Sequence, residues 1–300
     1  IAMNSCSPVI PSIQEGNAIF AIPKKGRLYE KCLKLLEGAG LDYQRPPRLD
    51  IAECDSLPIT LVFLPAHDIA TFVGEGNVDV GITGFDVLEE SGESDNVEVS
   101  IELGFGKCKL CVQAPVSSKV KDIGTLAGKR IATSFPELTK KYFSQFNAEN
   151  ETKIKYVSGS VEAACSLGLA DAVVDLVETG TTMRAAGLEI VGEICSSQSL
   201  LITSKQTRHR NTIDLIIRRI EGYITAQSYL LISYNVSMDD LNKTLEVTPG
   251  KKSPTITKLK EENWVAVSAL VNKKESSNIM DQLYKIGATD ILLFSLQNSR

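Results

Sequence analysis

The sequence predicts an α/β protein built from more than one domain. Short apolar runs alternate with amphipathic stretches from Ala18 onward, which is the rhythm of strands followed by helices. The 300 residues are 43% hydrophobic, enough to bury a sizeable core. At about 100–200 residues per domain, this length predicts two or three domains.

The first predicted lobe covers residues 18–115, with short strands and helices in alternation. The first helical segment in this lobe ends at Gly38 or Gly40, because glycine commonly follows a helix. In order, the segments are the strand AIFAIP, the helix LYEKCLKLLEGAG, the strand ITLVFLP, the helix HDIATFVGEG, the buried strand VDVGITG and the longer strand region IELGFGKCKLCVQAP.

A second lobe is predicted at residues 116–195. GKRIATSFPELTKKYF indicates a strand and then a helix, whose start fits a capping box: Ser134 would accept from the amide of Glu137, whose side chain reaches back. IKYVSGSVEAACSLGLADAVVDLVETGTTMRAAGLEIV repeats the alternation. Two α/β lobes are therefore expected around a cleft.

The last third of the chain has a different pattern. Residues 196–227 include the helical stretch TIDLIIRRIEGYITAQ, which we expect to complete the first lobe. Beyond it, residues 228–300 give the order β-α-β-β-α-β, the split βαβ pattern of a ferredoxin-like domain.

Charge and composition exclude several classes of protein. A net charge of -5 and a pI near 5.3 argue against nucleic-acid and membrane-surface partners, which favour a basic field. No basic region leads into an apolar core within residues 1–17, and no apolar run is long enough to span a membrane, so a cytoplasmic location is expected.

The cysteines and histidines give no sign of a metal centre or a catalytic triad. Seven scattered cysteines suit a reducing compartment, and the close pair Cys108 and Cys111 lies on a predicted strand as buried thiols. His67 and His209 stand in no acid/base context, so structural or exposed positions are expected for both.

The most informative run is DAVVDLVETGTTMRAAGL, residues 171–188. Its strand places Asp171, Val173 and Asp175 on one face, and a Thr-Gly-Thr-Thr turn at 179–182 then opens a helix. Backbone amides and hydroxyls at such a turn suit a phosphate, while carboxylates beside it suit ribose hydroxyls or Mg²⁺. The alternative is that Thr179 caps a helix and the aspartates are solvated.

A basic loop follows the first strand. IPKKGRL places Lys24, Gly26 and Arg27 where two cations could contact a polyphosphate, with Arg27 presenting a planar fork. Basic loops of this kind are also commonly only solvated, so the local pattern leaves both interpretations open.

Several of these segments together resemble the long form of ATP phosphoribosyltransferase. The matching strings are IPKKGRL, RPPRLDI, VDVGITGFDVL, GKRIATSFPELTKKYF, SGSVEAACSLGLADA, DAVVDLVETGTTMRAAGL and VTPGKKSPTITKL followed by NWVAVSALV. The resemblance extends from residue 20 to about 296, and only the amino-terminal extension lies outside it.

The resemblance implies roles for particular residues. Glu162 and Asp175 correspond to the acidic pair beside the phosphoribosyl group. The implied phosphoribosyl diphosphate site comprises Asp171, Glu178, Thr179, Gly180, Thr181 and Thr182. The implied ATP site comprises Lys24, Gly26, Arg27, Arg48, Thr83, Gly84 and Asp86. The implied pocket for histidine, the feedback inhibitor, comprises Asn235, Ser253 and Thr255, although some relatives carry aspartate at the first of these.

By the same resemblance, the expected reaction joins ATP to 5-phosphoribosyl 1-diphosphate, with Mg²⁺, at the first step of histidine biosynthesis. Dimers assembling into a hexamer are also implied. Two rival functions remain: a non-catalytic two-lobed ligand-binding protein, whose architecture is similar, and a phosphoribosyltransferase acting on a different base.

Overall fold

A computed structural model describes residues 16–46, 48–146 and 151–300, so Cys6 and the remainder of residues 1–15 lie outside the described residues. The described chain contains a seven-stranded, a five-stranded and a four-stranded sheet, each covered by helices. This confirms the predicted fold class of two α/β lobes and a ferredoxin-like domain.

The elements follow one another in chain order. Their bounds are β1 (Ala18–Pro23), α1 (Tyr29–Gly38), β2 (Tyr43–Gln44), β3 (Ile51–Cys54), β4 (Ile59–Leu64), α2 (Ala66–Gly74), β5 (Val80–Gly84), α3 (Phe85–Ser91), β6 (Val97–Glu102), β7 (Cys108–Pro115), β8 (Arg130–Thr133), α4 (Pro136–Phe143), β9 (Lys153–Tyr156), α5 (Ala163–Ser166), β10 (Ala172–Val177), α6 (Thr181–Ala185), β11 (Leu188–Ser197), β12 (Ser199–Ser204), α7 (Arg210–Ser228), β13 (Tyr229–Ser237), α8 (Leu241–Val247), β14 (Thr255–Lys258), β15 (Trp264–Asn272), α9 (Ser276–Ile286) and β16 (Thr289–Ser295).

Lobe I contains the seven-stranded sheet, in the order β2-β3-β4-β1-β5-β12-β6. Its central strands β4, β1 and β5 are parallel and buried on both faces, which explains why they are nearly continuous apolar runs in the sequence. Helix α2 packs on this sheet through Ile69 and Val73. The carboxyl ends of β1 and β5 carry the basic loop and the segment that opens α3.

Lobe II contains the five-stranded sheet, in the order β11-β7-β10-β8-β9. Strand β7 pairs antiparallel with both β10 and β11, so it belongs to this sheet. The change from lobe I to lobe II therefore falls between Glu102 and Cys108 and not at the 115/116 boundary. Sequence pattern missed this because residues 101–115 form one apolar region interrupted only by the turn at Gly104 and Gly106.

The predicted capping box at the start of α4 is wrong. Pro136 occupies the first helical position, the cap falls on Phe135, and neither that residue nor Ser134 supplies a capping side chain. The carboxylate of Glu90, on α3, accepts hydrogen bonds from the amides of Glu137 and Leu138 instead, both at 2.9 Å. The first amides of a helix have no acceptor within the helix. Here their acceptor is Glu90, which lies 47 positions before Glu137 in the chain.

By its internal contacts, the chain divides into two units. The second unit takes in residues 34–41 and 214–300, so most of α7 groups with the carboxyl-terminal domain, whereas the sequence predicted that it completes lobe I. Within this unit, Arg219 on α7 donates to the carbonyl of Gly40 at 2.8 Å. Its sheet has the order β14-β15-β13-β16 and buries alternate residues such as Ile232 and Val267 against α8 and α9.

A transmembrane helix is not found in the part of the chain that the structure describes, since none of its helices is both long and apolar enough to cross a bilayer.

Candidate active site

Two neighbouring cavities lie within the first unit. The larger, of about 500 Å³, is lined by residues of both lobes, and the smaller, of about 260 Å³, lies mainly against lobe II. Arg27 lines both cavities. The basic loop of lobe I therefore reaches the same space as the acidic strand of lobe II.

The acidic pair Glu162 and Asp175 lines the smaller cavity. Asp175 lies near the carboxyl end of β10, where its Oδ1 accepts from the amide of Leu176 at 2.8 Å. Burial raises the pKa of Asp175, and the negative charge of Glu162 raises it further, against the opposing effect of the Leu176 amide. Two carboxylates thus share one cavity, and Glu162 lies close enough to affect the pKa of Asp175.

The Thr-Gly turn follows directly. Glu178, Thr179, Gly180 and Thr182 line the smaller cavity, and the hydroxyl of Thr181 lies 3.0 Å from that of Thr179. Gly180 has a φ of +73°, a conformation that favours glycine, so it forms the turn between β10 and α6. The helix that follows spans only five residues, so the main donors for an anion here are the amides and hydroxyls of the turn itself.

Asp171 does not join this group. It precedes β10, at the opposite end of the strand from the turn, and its carboxylate accepts from Arg130 at 2.8 and 3.1 Å. These bonds, with one from the amide of Arg130, lower the pKa of Asp171 to about 2. Asp175 lies within β10, four residues after Asp171, and at about 3.3 Å per residue the strand places the two aspartates roughly 13 Å apart.

The basic loop contributes fewer groups than predicted. Arg27 donates to the carbonyl of Gly106 at 2.8 Å, and Gly26 lines the larger cavity beside it. Lys24 pairs with Asp50 at 3.3 Å, and it is Lys25 that lines the cavity. The two lysines are adjacent in sequence, so the pattern alone could not tell which one faces the cavity.

Asp86 is fully buried and lies at the centre of a polar cluster. Ser197 donates to its Oδ1, while its Oδ2 has no hydrogen-bond partner and lies 3.7 Å from Arg27. Gly84 allows this arrangement, because a Cβ atom there would stand 2.1 Å from the carboxylate. The cluster joins Asp86 of lobe I to the last residue of β11.

Two predicted nucleotide-site residues lie elsewhere. Thr83 is buried, and its hydroxyl donates to the carbonyl of Ala66 at 3.4 Å. Arg48 is exposed in a left-handed conformation, with a φ of 67°, and does not line either cavity.

Several residues that line the cavities were not among the site residues predicted from the sequence. His67, Tyr156, Ser158 and Gly159 line the larger cavity, and the buried side chain of Gln113 lines the smaller one and donates to the carbonyl of Asp175 at 3.3 Å. A glutamine in the mostly apolar strand KLCVQAP was the sequence signal that could have identified it. His67 is followed by Asp68, which it contacts at 3.1 Å.

Cys108 and Cys111 are both buried free thiols, as predicted. Burial raises the pKa of Cys111 to about 11 and also raises that of Cys108, which lines the smaller cavity. Thiols that hold their protons so firmly are poor nucleophiles at neutral pH.

In the carboxyl-terminal domain, the structure brings two of the three predicted effector residues to one sheet face. Thr255 is opposite Ser268, whose hydroxyl donates to that of Ser233 at 3.2 Å, and Asn235 lies two residues further along β13. The amide of Asn235 donates to Asp290 at 2.9 Å. Ser253 precedes β14 and is exposed.

The fold and the cavities together define a two-lobed α/β protein with a paired-carboxylate and Thr-Gly site reached by an arginine of the opposite lobe. Comparison with known proteins agrees and goes further. Residues 65–222 match the family described as HisG: ATP phosphoribosyltransferase, and residues 226–298 match the HisG C-terminal domain. The chain belongs to the ATP phosphoribosyltransferase family, and this confirms the predicted family.

Individual relatives support the same assignment. The chain is 48% identical over 287 residues to the ATP phosphoribosyltransferase of Candida albicans, and 49% identical over 287 residues to that of Saccharomyces cerevisiae. Each match covers 94% of this chain and 96% of the relative. A solved ATP phosphoribosyl transferase (HisG:HisZ) complex from Thermotoga maritima is 27% identical, with a TM-score of 0.61 over 69% of this chain and 98% of that chain.

Proposed function

We propose that the chain transfers the phosphoribosyl group of 5-phosphoribosyl 1-diphosphate to N1 of ATP, which yields N1-(5-phosphoribosyl)-ATP and diphosphate. The observation that carries this proposal is the shared position of Arg27, which lines both the larger cavity and the smaller acidic one. A nucleotide held by lobe I and a sugar phosphate held by lobe II would meet at that residue.

In the proposed reaction, the lone pair of adenine N1 forms a bond to C1′ of the ribose, and the bond from C1′ to the diphosphate breaks with its electrons leaving on diphosphate. The configuration at C1′ inverts. Positive charge develops on the ring, and the carboxylates of Glu162 and Asp175 are placed to stabilise it. Adenine N1 is already nucleophilic, so the proposal assigns no covalent role to the protein.

The phosphoribosyl diphosphate would contact the turn at 179–182, whose amides and hydroxyls suit the 5-phosphate. ATP would occupy the larger cavity, where Lys25 and Arg27 supply positive charge. Positioning two polyanions against each other is the main task of such a site, and cations at their meeting point reduce the repulsion.

The carboxylates of the smaller cavity fit a requirement for Mg²⁺. This ion is usually held by one or two carboxylates together with phosphate oxygens of the substrate, and Glu162, Asp175 and Glu178 offer such oxygens. Within the described ranges, no group of three or more His, Cys, Asp and Glu side chains is arranged to hold a metal ion by itself. When bound, Mg²⁺ supplies charge neutralisation to the diphosphate.

The test is to incubate the protein with ATP, phosphoribosyl diphosphate and Mg²⁺ and to follow the N1 adduct by absorbance. Formation of the adduct supports the proposal. Binding without turnover would favour a ligand-binding protein, and turnover with another base but not ATP would favour a different phosphoribosyltransferase.

We also propose that histidine inhibits the enzyme through the carboxyl-terminal domain, with Asn235, Ser253 and Thr255 in contact with it. The shared sheet face of Thr255 and Asn235 supports this assignment. A coupling of about 1–3 kcal/mol between the sites is expected. Histidine titration should be weakened severalfold by Thr255→Val but not by Ser295→Ala, a matched change on β16, and equal binding by both variants would place the effector elsewhere.

Assembly into hexamers built from dimers and a cytoplasmic location complete the proposal. Light scattering coupled to gel filtration tests the first, and a mass that corresponds to the monomer at micromolar concentration would contradict it.

A further inference from the structure

One face of α3 connects the two lobes of the first unit. Val87 packs against the core of lobe I and also against the core of lobe II, where its neighbours include the cluster around Leu138. Glu90 is three residues further along the helix, so the two side chains project from the same face. This face of α3, formed by Val87 and Glu90, is directed at α4 of the opposite lobe.

The carboxylate of Glu90 accepts hydrogen bonds from two backbone amides of lobe II that have no acceptor within their own helix. Pro136 has no amide hydrogen, so Glu137 and Leu138 carry the first free amides of α4, and both donate to the carboxylate of Glu90 at 2.9 Å. The carboxylate is half-buried and lines the larger cavity. A negative charge is favourable at this end of a helix because it complements the helix dipole.

These bonds stand apart from the covalent connections between the lobes. The chain crosses between lobes at residues 103–107 and again at Gln198, and Arg27 and Asp86 bond to residues in or beside those crossings. Away from the crossings, the described residues show no hydrogen bond between lobe I and lobe II other than those to Glu90.

We infer that Glu90 is a positioning residue that holds the two lobes closed around the larger cavity. The closed arrangement brings Ser134 and Tyr156 of lobe II to the same cavity as Gly26 and Arg27 of lobe I. If the lobes separate, the amides of Glu137 and Leu138 lose their acceptor. Opening therefore breaks these two hydrogen bonds. This inference rests on the proposed function for its kinetic consequence only.

Hydrogen exchange tests the contact without reference to the chemistry. In the full-length protein, Glu90→Ala should accelerate amide exchange at Glu137 and Leu138 roughly tenfold, as expected for loss of a helix cap, and Glu90→Gln should give a smaller acceleration because it keeps one acceptor. Glu89→Ala is the matched control, since Glu89 is on the same helix and accepts from Ser94 at 2.8 Å. Unchanged exchange in both Glu90 variants would overturn the inference.

Kinetics then separate a positioning role from a purely structural one. The turn at 179–182 lies within lobe II, so the dissociation constant for phosphoribosyl diphosphate alone should change less than twofold in Glu90→Gln, whereas kcat for adduct formation should fall about tenfold. Faster exchange with a normal kcat would reduce Glu90 to a helix cap and overturn the positioning role. Absence of turnover in the wild-type protein counts against the proposed function instead, and the exchange result stands independently of it.

Discussion

The two ends of β10 carry the same residue type in opposite environments. Asp171, before the strand, is partly exposed and paired with Arg130, and its pKa is lowered to about 2. Asp175, near the other end, is largely enclosed beside Glu162, and its pKa is raised. One strand therefore bears a carboxylate stabilised by a cation and a carboxylate destabilised by its surroundings. Perturbed acids enclosed in a cavity are typical of functional sites, whereas exposed ion pairs are typical of structural ones.

The largest expected effect is on turnover. Asp175→Asn should lower kcat on the order of 100-fold, because it removes a charge worth ~3 kcal/mol to a cationic transition state. Asp171→Asn should leave kcat within about twofold of wild type, since that carboxylate pairs with Arg130 outside both cavities. Initial rates of adduct formation measure both. Near-normal turnover in a folded Asp175→Asn protein would contradict the proposed functional difference between Asp175 and Asp171.

A smaller effect is expected on substrate affinity at the turn that follows Asp175. Thr181→Val removes a hydroxyl that lies 3.0 Å from that of Thr179 while keeping the shape of the side chain. The Michaelis constant for phosphoribosyl diphosphate should rise roughly tenfold, as for a lost bond to a charged group, with that for ATP little changed. Thr125→Val, on a hydroxyl remote from both cavities, is the control. An unchanged Michaelis constant would argue against a phosphate at this turn.

The smallest effect is on stability, where the two aspartates should differ in sign. The folded pKa of Asp171 is lowered, so its ion pair stabilises the protein above the unfolded pKa, roughly 3.9, and this stabilisation is lost as pH falls toward about 2. Both partners are more than a third exposed, so Asp171→Asn should cost less than about 1 kcal/mol at pH 7.

For Asp175 the folded pKa is raised, so its ionisation opposes folding, and stability is lost as pH rises through that pKa. Asp175→Asn should therefore be slightly more stable than wild type at pH 7. Urea unfolding of the two variants between pH 2 and pH 7 measures both effects, and a shift of the same sign in both would refute the contrast.

Local sequence pattern predicted most of the elements, because the strands of both lobes are short apolar runs with clear breaks. It did not predict that Asp171 lies outside the cavity that Asp175 lines, because alternation reports the side of a sheet and not which end of a strand faces a cavity. It failed again at α4, since the residue that caps the helix is on another lobe and no nearby motif records that contact.

The nucleotide-site residues show the same limit. The string IPKKGRL indicates a basic loop, but which lysine faces the cavity depends on Asp50, which pairs with Lys24. Likewise, VDVGITGFDVL includes both Thr83, which is buried against Ala66, and Asp86, which reaches Arg27. Resemblance to a family assigns a segment to a site, whereas tertiary partners decide which of its side chains takes part.

The placement of β12 has a consequence for how the chain folds as it is synthesised. This strand lies between β5 and β6 in the lobe I sheet, yet it follows the whole of lobe II in sequence. All five strands of lobe II, from Cys108 to Ser197, emerge from the ribosome before the strand that joins β6 to the rest of lobe I. The amino-terminal sheet is therefore the later of the two to be completed, and until residue 204 emerges β5 and β6 both present unpaired edges.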